Sequence, residues 1–349
     1  MRILVTGGAG FIGSAVVRHL VLERGHEVLT VDKLTYASSL ASLQPVKGHA
    51  AHHFLKSDIC DRDAMNAAFE DFRPERVMHL AAESHVDRSI IAGHDFIMTN
   101  IVGTFTLLDV ARRYFDALAP SERDAFRFLH VSTDEVYGSL GPSGQFREDT
   151  PYNPSSPYSA SKAASDHLVN AWGRTFGLPI VISNCSNNYG PYQFPEKLIP
   201  LTILKALQGE ELPVYGNGSN VRDWLHVEDH ARALDLIASC GQVGERYNVG
   251  GGNEWRNIDI VRAICDAIDM RRPQAAPHGD LIRFVSDRPG HDARYAIDAG
   301  KLSSEMGWKP TIDFAVGLQA TVDWYIENLH WWLPIADREA MRPRLRAVT

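Results

Sequence analysis

The sequence predicts an α/β protein, in which a doubly wound parallel sheet is accompanied by a smaller, mixed α/β lobe towards the C-terminal end. Three observations support this fold class. Short apolar runs alternate with longer helical patterns in the first half, a glycine cluster follows the first apolar run, and turn residues become frequent near residue 186. Strands and helices that alternate at this spacing are typical of βαβ units, which place helices on both faces of a parallel sheet.

Five apolar runs predict strands, and the amphipathic stretches between them predict helices. The predicted strands are 3–6, 28–31, 76–80, 126–132 and 179–184, and the predicted helices are 12–23, 62–72, 96–114 and 158–176. The helices that begin near Phe96 and Tyr158 are long and rich in apolar and small residues. They are therefore suited to a subunit interface as well as to the core.

The second half of the chain predicts a division into two parts. Residues 187–195 contain too many turn residues for a core element, and regular patterns return at 221–240 and 247–252. We therefore expect residues 1–187 to form a nucleotide-type domain that the chain rejoins at about 220–250. Residues 188–219 and 251–349 are expected to form the smaller lobe.

Composition excludes several classes of protein. The chain of 349 residues carries 35 Lys and Arg against 43 Asp and Glu, a net charge of −8, which disfavours general nucleic-acid binding. No apolar run reaches the roughly 18 residues that a membrane span needs. Four scattered cysteines without a C-x-x-C pair argue against a disulfide framework and favour a reducing cytoplasm. His49, His52 and His53 lack further ligands beside them, so no metal is expected.

A glycine motif after the first predicted strand indicates a dinucleotide site. Gly7, Gly10 and Gly13 have the spacing G-x-x-G-x-x-G, and their missing side chains let the backbone approach a pyrophosphate at a helix N-terminus. Asp32 ends the next predicted strand, where a carboxylate accepts hydrogen bonds from ribose hydroxyls and repels a 2′-phosphate. This arrangement favours NAD over NADP.

Asp58 and Ile59 follow a further short strand and are placed to border an adenine. On the sequence alone, a different interpretation is equally good, in which Asp58 caps the helix that begins near Arg62. Both interpretations place the carboxylate at the same end of the sheet, so the sequence leaves the choice open.

Tyr158 and Lys162 stand at i and i+4, which places them on one face of a helix that Pro157 suits as a starting residue. An ammonium and an oxidised nicotinamide both favour phenolate over phenol. We therefore expect the pKa of Tyr158 to fall towards neutrality, so that it serves as a base for a sugar hydroxyl. The alternative is a surface helix that carries the two residues by chance.

Thr133, Asp134 and Glu135 follow the apolar strand 126–132. Ligands of open α/β sheets bind at the carboxyl ends of strands, so these residues are expected in the same crevice as Tyr158. Neighbouring acids in a partly dry site separate their pKa values, and one can stay protonated while the other is ionised. Taken alone, the triplet is better explained as a helix cap and dipole partner.

Together these motifs resemble the extended short-chain dehydrogenase/reductase superfamily, and within it most closely the family of dTDP-glucose 4,6-dehydratases. The resemblance rests on the glycine run 7–13 and on residues 79–89, 132–138 and 158–162, and it continues through 184–191, 220–224 and 287–292. The triplet Thr133-Asp134-Glu135 is its most specific part, because related epimerases and decarboxylases have Ser in place of the Asp or lack the Asp-Glu pair.

The resemblance implies a Rossmann-type domain with bound NAD, a smaller substrate-binding lobe, and a homodimer. The implied reaction oxidises C4 of dTDP-glucose, eliminates water across C5–C6 and reduces C6, which yields dTDP-4-dehydro-6-deoxy-glucose. In that scheme Tyr158, helped by Thr133 and Lys162, removes the O4 proton. Glu135 takes the C5 proton, and Asp134 donates a proton to the departing C6 hydroxyl.

The resemblance also implies two sets of binding residues. For the cofactor these are Gly7, Gly10, Phe11, Ile12, Gly13, Asp32, Lys33, Leu34, Thr35, Asp58, Ile59, Leu80, Ala81, Ala82, Ser84, Thr99, Tyr158, Lys162 and Asn188. For the nucleotide sugar they are Ser84, Thr133, Asn187, Lys197, Leu198, Pro213, Val214, Tyr215, Arg222, Asn257, Asp287, Arg288, Pro289, Gly290 and His291.

Arg222 and Arg288 also suit a nucleotide diphosphate on chemical grounds, because a guanidinium offers a planar fork to phosphate oxygens. Taken singly, each is better explained as a surface ion pair. Three other functions stay open: an NAD-dependent nucleotide-sugar 4-epimerase, a dehydratase for another nucleotide sugar, and a non-catalytic NAD-binding regulator.

Overall fold

The computed structural model describes residues 1–287 and 290–336. Its strands are β1 (Arg2–Thr6), β2 (Glu27–Asp32), β3 (His52–Lys56), β4 (Arg76–His79), β5 (Arg127–Thr133), β6 (Ile180–Cys185), β7 (Asn187–Tyr189), β8 (Leu212–Tyr215), β9 (Val221–His226), β10 (Arg246–Val249), β11 (Glu254–Arg256) and β12 (Ile282–Val285). The five predicted strands therefore correspond to β1, β2, β4, β5 and β6, with ends that differ by at most one residue.

The α-helices are α1 (Phe11–Arg18), α2 (Arg62–Phe72), α3 (Val86–Ile91), α4 (Gly93–Phe96), α5 (Thr104–Ala117), α6 (Pro120–Ala125), α7 (Pro157–Phe176), α8 (Leu198–Leu207), α9 (Val227–Cys240), α10 (Asn257–Arg271), α11 (Gly300–Met306), α12 (Phe314–Glu327) and α13 (Leu329–Ala336). Two predicted helices are interrupted by wider, π-helical turns. His19–Glu23 continues α1, and Ile97–Gly103 joins α4 to α5.

Seven strands form one parallel sheet in the order β10-β6-β5-β4-β1-β2-β3, which confirms the predicted fold class. The chain builds outwards from β1 to β3 and then crosses to β4 on the other side of β1. A crevice opens at such a reversal of strand order, at the carboxyl ends of the strands. The ends of β1 and β4, and of β5 beside β4, therefore border one site.

Helix α7 owes its position to strong signals at both ends. Ser156 accepts a hydrogen bond from the Ser159 amide at 3.1 Å, Pro157 occupies the first turn, and Gly177 ends the helix with a left-handed φ of 68°. Its buried face includes Tyr158 and Lys162. The helix thus presents both predicted catalytic residues to the sheet and not to solvent.

Three large apolar clusters of described residues accompany the two parts of the chain. Two lie against the large sheet, one with residues of α1 and α9 and one with residues of α2 and α5, and β10 extends the same sheet. The third lies among α8, α10, α12 and α13 and includes Trp224, Trp331 and Trp332. Residues 227–249 thus pack against the large sheet or extend it. That one part of the chain binds the cofactor and the other binds the substrate stays a prediction.

Candidate active site

The glycine turn after β1 is packed so closely that side chains have no room at two of its positions. Gly7 has a φ of 71°, and a Cβ added there would lie 2.7 Å from the Ala81 backbone. A Cβ on Gly13 would collide with the carbonyl oxygen of Gly7. Gly10 precedes α1 without a side-chain cap, so the helix begins with exposed backbone amides. The turn fits the approach of a pyrophosphate that the spacing predicts.

Asp32 ends β2 beside this turn and is 8% exposed. Its carboxylate accepts hydrogen bonds from the amide of Ala9 at 3.0 Å and from the amide of Leu34 at 2.8 Å. Burial raises the pKa of Asp32, and these two hydrogen bonds oppose that shift. The carboxylate is therefore held at the outer edge of the turn, where a ribose would lie.

Lys33 gathers the next predicted residues around one ammonium. Its Nζ lies 2.8 Å from Oγ1 of Thr99 and 3.5 Å from Oδ2 of Asp58. Helix α2 is capped by Asp61, which accepts from the Ala64 amide at 3.1 Å. The alternative that Asp58 caps this helix is thus wrong, because the helix begins three residues later than a cap at Asp58 requires.

Thr133, Asp134, Glu135 and Tyr158 converge at the end of β5. The Thr133 side chain lies close to the phenol of Tyr158, and its Oγ1 donates to Oδ1 of Asp134 at 3.3 Å. Oγ1 also accepts from the amide of Glu135 at 3.2 Å, so Thr133 caps the short 3₁₀ turn Asp134–Tyr137. The cap interpretation therefore holds for the threonine, while both acids and the phenol share the predicted crevice.

Asp134 is 2% exposed, and among the described residues its Oδ2 finds no hydrogen-bond partner. Burial, with Glu135 and Asp223 nearby, raises the pKa of Asp134 well above its ordinary value. The raised pKa favours the protonated form. A buried carboxyl with one oxygen free of protein partners among the described residues is suited, when protonated, to donate a proton to a bound molecule.

The expectation that Lys162 draws the pKa of Tyr158 towards neutrality is wrong for the protein alone. Burial, and then Glu135 and Cys185, raise the pKa of Tyr158 well above its ordinary value. The Lys162 ammonium donates to the backbone carbonyl of Val131 at 2.9 Å, and burial lowers its own pKa. The loss of hydration on burial of the phenol therefore has a larger effect on the pKa of Tyr158 than the Lys162 ammonium, which donates to strand β5.

The segment after β4 is fixed by residues that the sequence analysis did not single out. Asn100 accepts from the amide of Glu83 at 2.9 Å and donates to the carbonyl of the same residue at 3.0 Å. It also donates to Oγ of Ser161 on α7 at 2.8 Å. The sequence signal that could have identified Asn100 is its polar side chain among the apolar residues of the predicted helix 96–114.

The other predicted cofactor residues surround the same edge of the sheet. Phe11 and Ile12 begin α1, Leu34 and Thr35 follow β2, Ile59 follows β3, Leu80, Ala81, Ala82 and Ser84 follow β4, and Asn188 lies on β7. The carbonyl of Ser84 accepts from Nζ of Lys197 at 2.8 Å. The Asn188 side chain lies 2.9 Å from Nδ1 of His230 and is held within the protein.

The predicted substrate residues come from both parts of the chain. Lys197 precedes α8, which Leu198 begins, Pro213, Val214 and Tyr215 lie on β8, Arg222 lies on β9, Asn257 begins α10, and Asp287, Gly290 and His291 follow β12. Arg288 and Pro289 lie outside the described residues. The side-chain Oδ1 atoms of Asn187 and Asn257 are buried without a hydrogen-bond partner in the described part of the chain.

Arg222 is held rigidly between the two parts of the chain. It is 5% exposed, donates to the carbonyl of Asp292 at 2.9 Å, and stands over the ring of Tyr295 at 4.2 Å. His291 lies 2.6 Å from Asp287, and its ring is 6.2 Å from that of Tyr215. Of the predicted nucleotide-sugar residues, Tyr215, Asp287 and His291 therefore lie together, and Arg222 contacts the same segment at Asp292.

Within residues 1–287 and 290–336, no cluster of three or more His, Cys, Asp or Glu side chains has the arrangement that holds a metal ion. In the same ranges, every helix is too short or too polar to cross a bilayer.

The parallel sheet, the glycine turn and the tyrosine–lysine helix together define the class of dinucleotide-dependent short-chain dehydrogenases and reductases. Within that class, residues 4–321 match the family model described as GDP-mannose 4,6 dehydratase, and the chain belongs to this family. It is 64% identical over 345 residues to a probable dTDP-glucose 4,6-dehydratase of Sinorhizobium fredii (strain NBRC 101917 / NGR234), a match that covers 99% of this chain and 98% of that protein.

Other proteins similar to this chain also carry the name dTDP-glucose 4,6-dehydratase. The dTDP-glucose 4,6-dehydratase of Salmonella typhimurium is 56% identical over 340 residues, which cover 95% of this chain and 94% of the relative. The Streptomyces venezuelae dTDP-glucose 4,6-dehydratase DesIV, solved with NAD and TYD bound, superposes with a TM-score of 0.89 at 44% identity and covers 96% and 100% of the two chains. The resemblance inferred from the motifs is confirmed.

Solved epimerases share the fold at lower identity. A UDP-glucose 4-epimerase of Thermus thermophilus, in complex with NAD, has a TM-score of 0.82 and 30% identity, and the match covers 94% of this chain and 100% of that one. Because dehydratases and epimerases have the same architecture, the side chains in the crevice must distinguish the two activities.

Proposed function

We propose that this protein dehydrates dTDP-glucose to dTDP-4-dehydro-6-deoxy-glucose and water, with NAD⁺ as a transient hydride acceptor. The observation that carries the proposal is the buried Asp134 carboxyl, which keeps its proton beside Glu135 in the crevice of Tyr158. A 4-epimerase exchanges hydride at one carbon and has no use for an acid and a base at C5 and C6. The names of the relatives that share this chain's full length support the same reaction.

The residues around β1, β2 and β4 fit the cofactor. The glycine turn leaves room for a pyrophosphate, Asp32 stands where a ribose would be bound, and Lys33 joins Thr99 and Asp58 beside it. NAD⁺, when bound, supplies the hydride acceptor and donor, and its positive ring favours phenolate at an adjacent tyrosine. This charge opposes the burial that raises the pKa of Tyr158.

The proposed catalytic roles follow from the protonation of each group. Tyr158 removes the O4 proton, and the neighbouring Thr133 hydroxyl helps to orient the phenol. The 4-ketone then acidifies the C5 proton, which Glu135 accepts. Asp134, which burial keeps protonated, gives its proton to the C6 hydroxyl, and that group departs as water.

We assign the nucleotide sugar to the space between the two parts of the chain. Residues 1–187 with 220–250 hold the cofactor, and residues 188–219 and 251–349 hold the nucleotide. Arg222 presents a fixed guanidinium to phosphate oxygens, since the Asp292 carbonyl and the Tyr295 ring orient it. Asn187 and Asn257 offer buried oxygens that accept hydrogen bonds from a ligand.

We further propose a homodimer formed by α3, α5 and α7. Apolar side chains are exposed on these helices and on the turn between α4 and α5, and Ile91 is 87% exposed. The others are Ile90, Ile97, Met98, Phe105 and Phe176. Exposed apolar side chains on neighbouring helices are typical of a subunit interface. The four cysteines are unpaired, which supports a reducing, cytoplasmic location.

The experiment that tests the reaction is mass spectrometry of the purified protein with dTDP-glucose and no added cofactor. We expect a product that has lost one water. A product with the mass of the substrate but a different sugar would indicate an epimerase and contradict the proposal.

The dimer is tested by size-exclusion chromatography of purified wild type and of the variant Ile91→Glu, whose elution volumes are compared. We expect the variant to elute as a monomer.

A further inference from the structure

Asp166 lies one helical turn after Lys162 on α7, and the proposed reaction gives it no role. It is completely buried. Its Oδ2 accepts hydrogen bonds from Oγ of Ser132 at 2.8 Å, from the hydroxyl of Tyr152 at 2.6 Å, and from Nδ2 of Asn184 at 3.4 Å. A buried carboxylate with so many donors remains ionised, because hydrogen bonds to the charged form replace its hydration.

The partners of Asp166 lie directly beside the reacting groups. Ser132 immediately precedes Thr133 at the end of β5, and Asn184 on β6 also donates to the backbone carbonyl of Thr133 at 3.0 Å. Asp166 therefore ties the ends of β5 and β6 to the same helix that carries Tyr158. The position of Thr133 relative to α7 depends on this attachment.

The charges around Lys162 give Asp166 a second function. Burial lowers the pKa of Lys162, and Asp166 opposes that shift. On β6, burial raises the pKa of the Cys185 thiol, so it is neutral. At the end of β5, Asp134 keeps its proton. Asp166, four residues after Lys162 on α7, is thus an acid whose negative charge favours the ammonium.

Basic groups from neighbouring strands do not take over this pairing. Nε2 of His130 on β5 lies 3.1 Å from Oδ1 of Asp166, and burial lowers the pKa of His130 to about 4. Burial likewise lowers the pKa of His79 on β4. Both imidazoles are therefore neutral near pH 7. Arg246 on β10 stands over the Tyr152 ring at 4.6 Å, and its guanidinium makes no ion pair with Asp166 among the described residues.

We propose that Asp166 is a positioning residue for the dehydration, which holds Lys162 in its charged form and fixes the ends of β5 and β6 against α7. This inference rests on the proposed function, because its effect is expressed through Tyr158 and Thr133. Asp166 touches neither substrate nor cofactor. Its contribution is the geometry and charge of the residues that do.

The test is the pH profile of kcat for Asp166→Asn beside wild type. The amide keeps the shape of the side chain but removes the negative charge, so Lys162 loses its proton at lower pH. We expect the alkaline limb of the profile to move down by on the order of one pH unit. Ser165→Ala is the matched control, since Ser165 is buried on the same helix and donates only to the carbonyl of Lys162.

An unchanged alkaline limb in folded Asp166→Asn, with only a lower melting temperature, would show a purely structural role and overturn the inference. Where Asp166→Asn fails to fold, Asp166→Glu decides. It keeps the charge but not the fit, so kcat should fall while the alkaline limb stays at its wild-type pH, and a displaced limb contradicts the inference. Absence of dehydration by wild type would instead refute the proposed function.

Discussion

Two buried aspartates, one at the end of β5 and one in the middle of α7, have opposite electrostatic environments. Asp134 is 2% exposed and Asp166 is 0% exposed, yet the pKa of Asp134 is raised and that of Asp166 is lowered. Each carboxyl has one oxygen without a hydrogen-bond partner in the described residues, but Asp134 has a single side-chain donor and acidic neighbours, whereas Oδ2 of Asp166 accepts from three donors. Burial by itself therefore does not decide ionisation, and the supply of donors does.

The largest expected effect concerns the acidic end of β5. Glu135→Gln removes the proposed base without removing Tyr158, so elimination should slow by roughly 10²–10⁴-fold while C4 oxidation persists. Single-turnover absorbance of the bound cofactor, together with product mass, measures the two steps separately. Tyr158→Phe is the companion variant and should abolish oxidation itself. Full turnover by either variant would refute the assignment of these residues.

Of the two aspartates, Asp166, which accepts several hydrogen bonds, should contribute more to the free energy of unfolding. Asp166→Asn should lower the free energy of unfolding by about 3–5 kcal/mol, because it breaks a buried, paired charge. Denaturant titration at neutral pH measures this change, with Ser165→Ala as the control. A loss below about 1 kcal/mol would mean that the Asp166 charge stabilises little.

The same contrast predicts a pH dependence. A carboxyl whose folded pKa is lowered contributes stability above its unfolded pKa, and this contribution is lost as the pH falls through the folded pKa. Wild type should therefore lose its advantage over Asp166→Asn in acid. Melting temperatures of both proteins, measured at a series of pH values from neutrality downwards, should converge. A constant difference would contradict the lowered pKa of Asp166.

A smaller effect is expected when one donor is removed. Tyr152→Phe deletes the hydroxyl that lies 2.6 Å from Oδ2 of Asp166. A hydrogen bond to a charged group contributes about 1.5–3 kcal/mol, so the free energy of unfolding should fall by that amount. In the Asp166→Asn background the same change should cost less. Equal losses in both backgrounds, in a double-mutant cycle, would mean that the hydroxyl acts independently of Asp166.

The smallest predicted change has the opposite sign. Burial raises the pKa of Asp134 in the folded protein. At neutral pH the carboxyl therefore ionises more readily in the unfolded chain, and this difference lowers the free energy of unfolding. Asp134→Asn should therefore raise the free energy of unfolding by on the order of 1 kcal/mol while it slows water loss, as expected where function costs stability. A destabilised Asp134→Asn would indicate that the carboxyl is better satisfied than its contacts indicate.

Local patterns in the sequence were sufficient for several of these features. Gly7 and Gly13 mark the turn because close backbone approach requires glycine, and the i, i+4 spacing places Tyr158 and Lys162 together. The pKa of Tyr158 was predicted in the wrong direction, because the sequence does not show how deeply a phenol is buried. Asn100 and Asp166 were missed, since each acts through partners distant along the chain.

The sequence by itself determined the order of strands and helices, the glycine turn, and the proximity of residues that are neighbours along the chain or along one helix. These features depend on backbone geometry and on the period of apolar residues, which are local properties. Only the tertiary structure decided which carboxyl is protonated and which is ionised. Ionisation depends on the water that is excluded and the donors that arrive from other strands, and the folded arrangement alone brings these together.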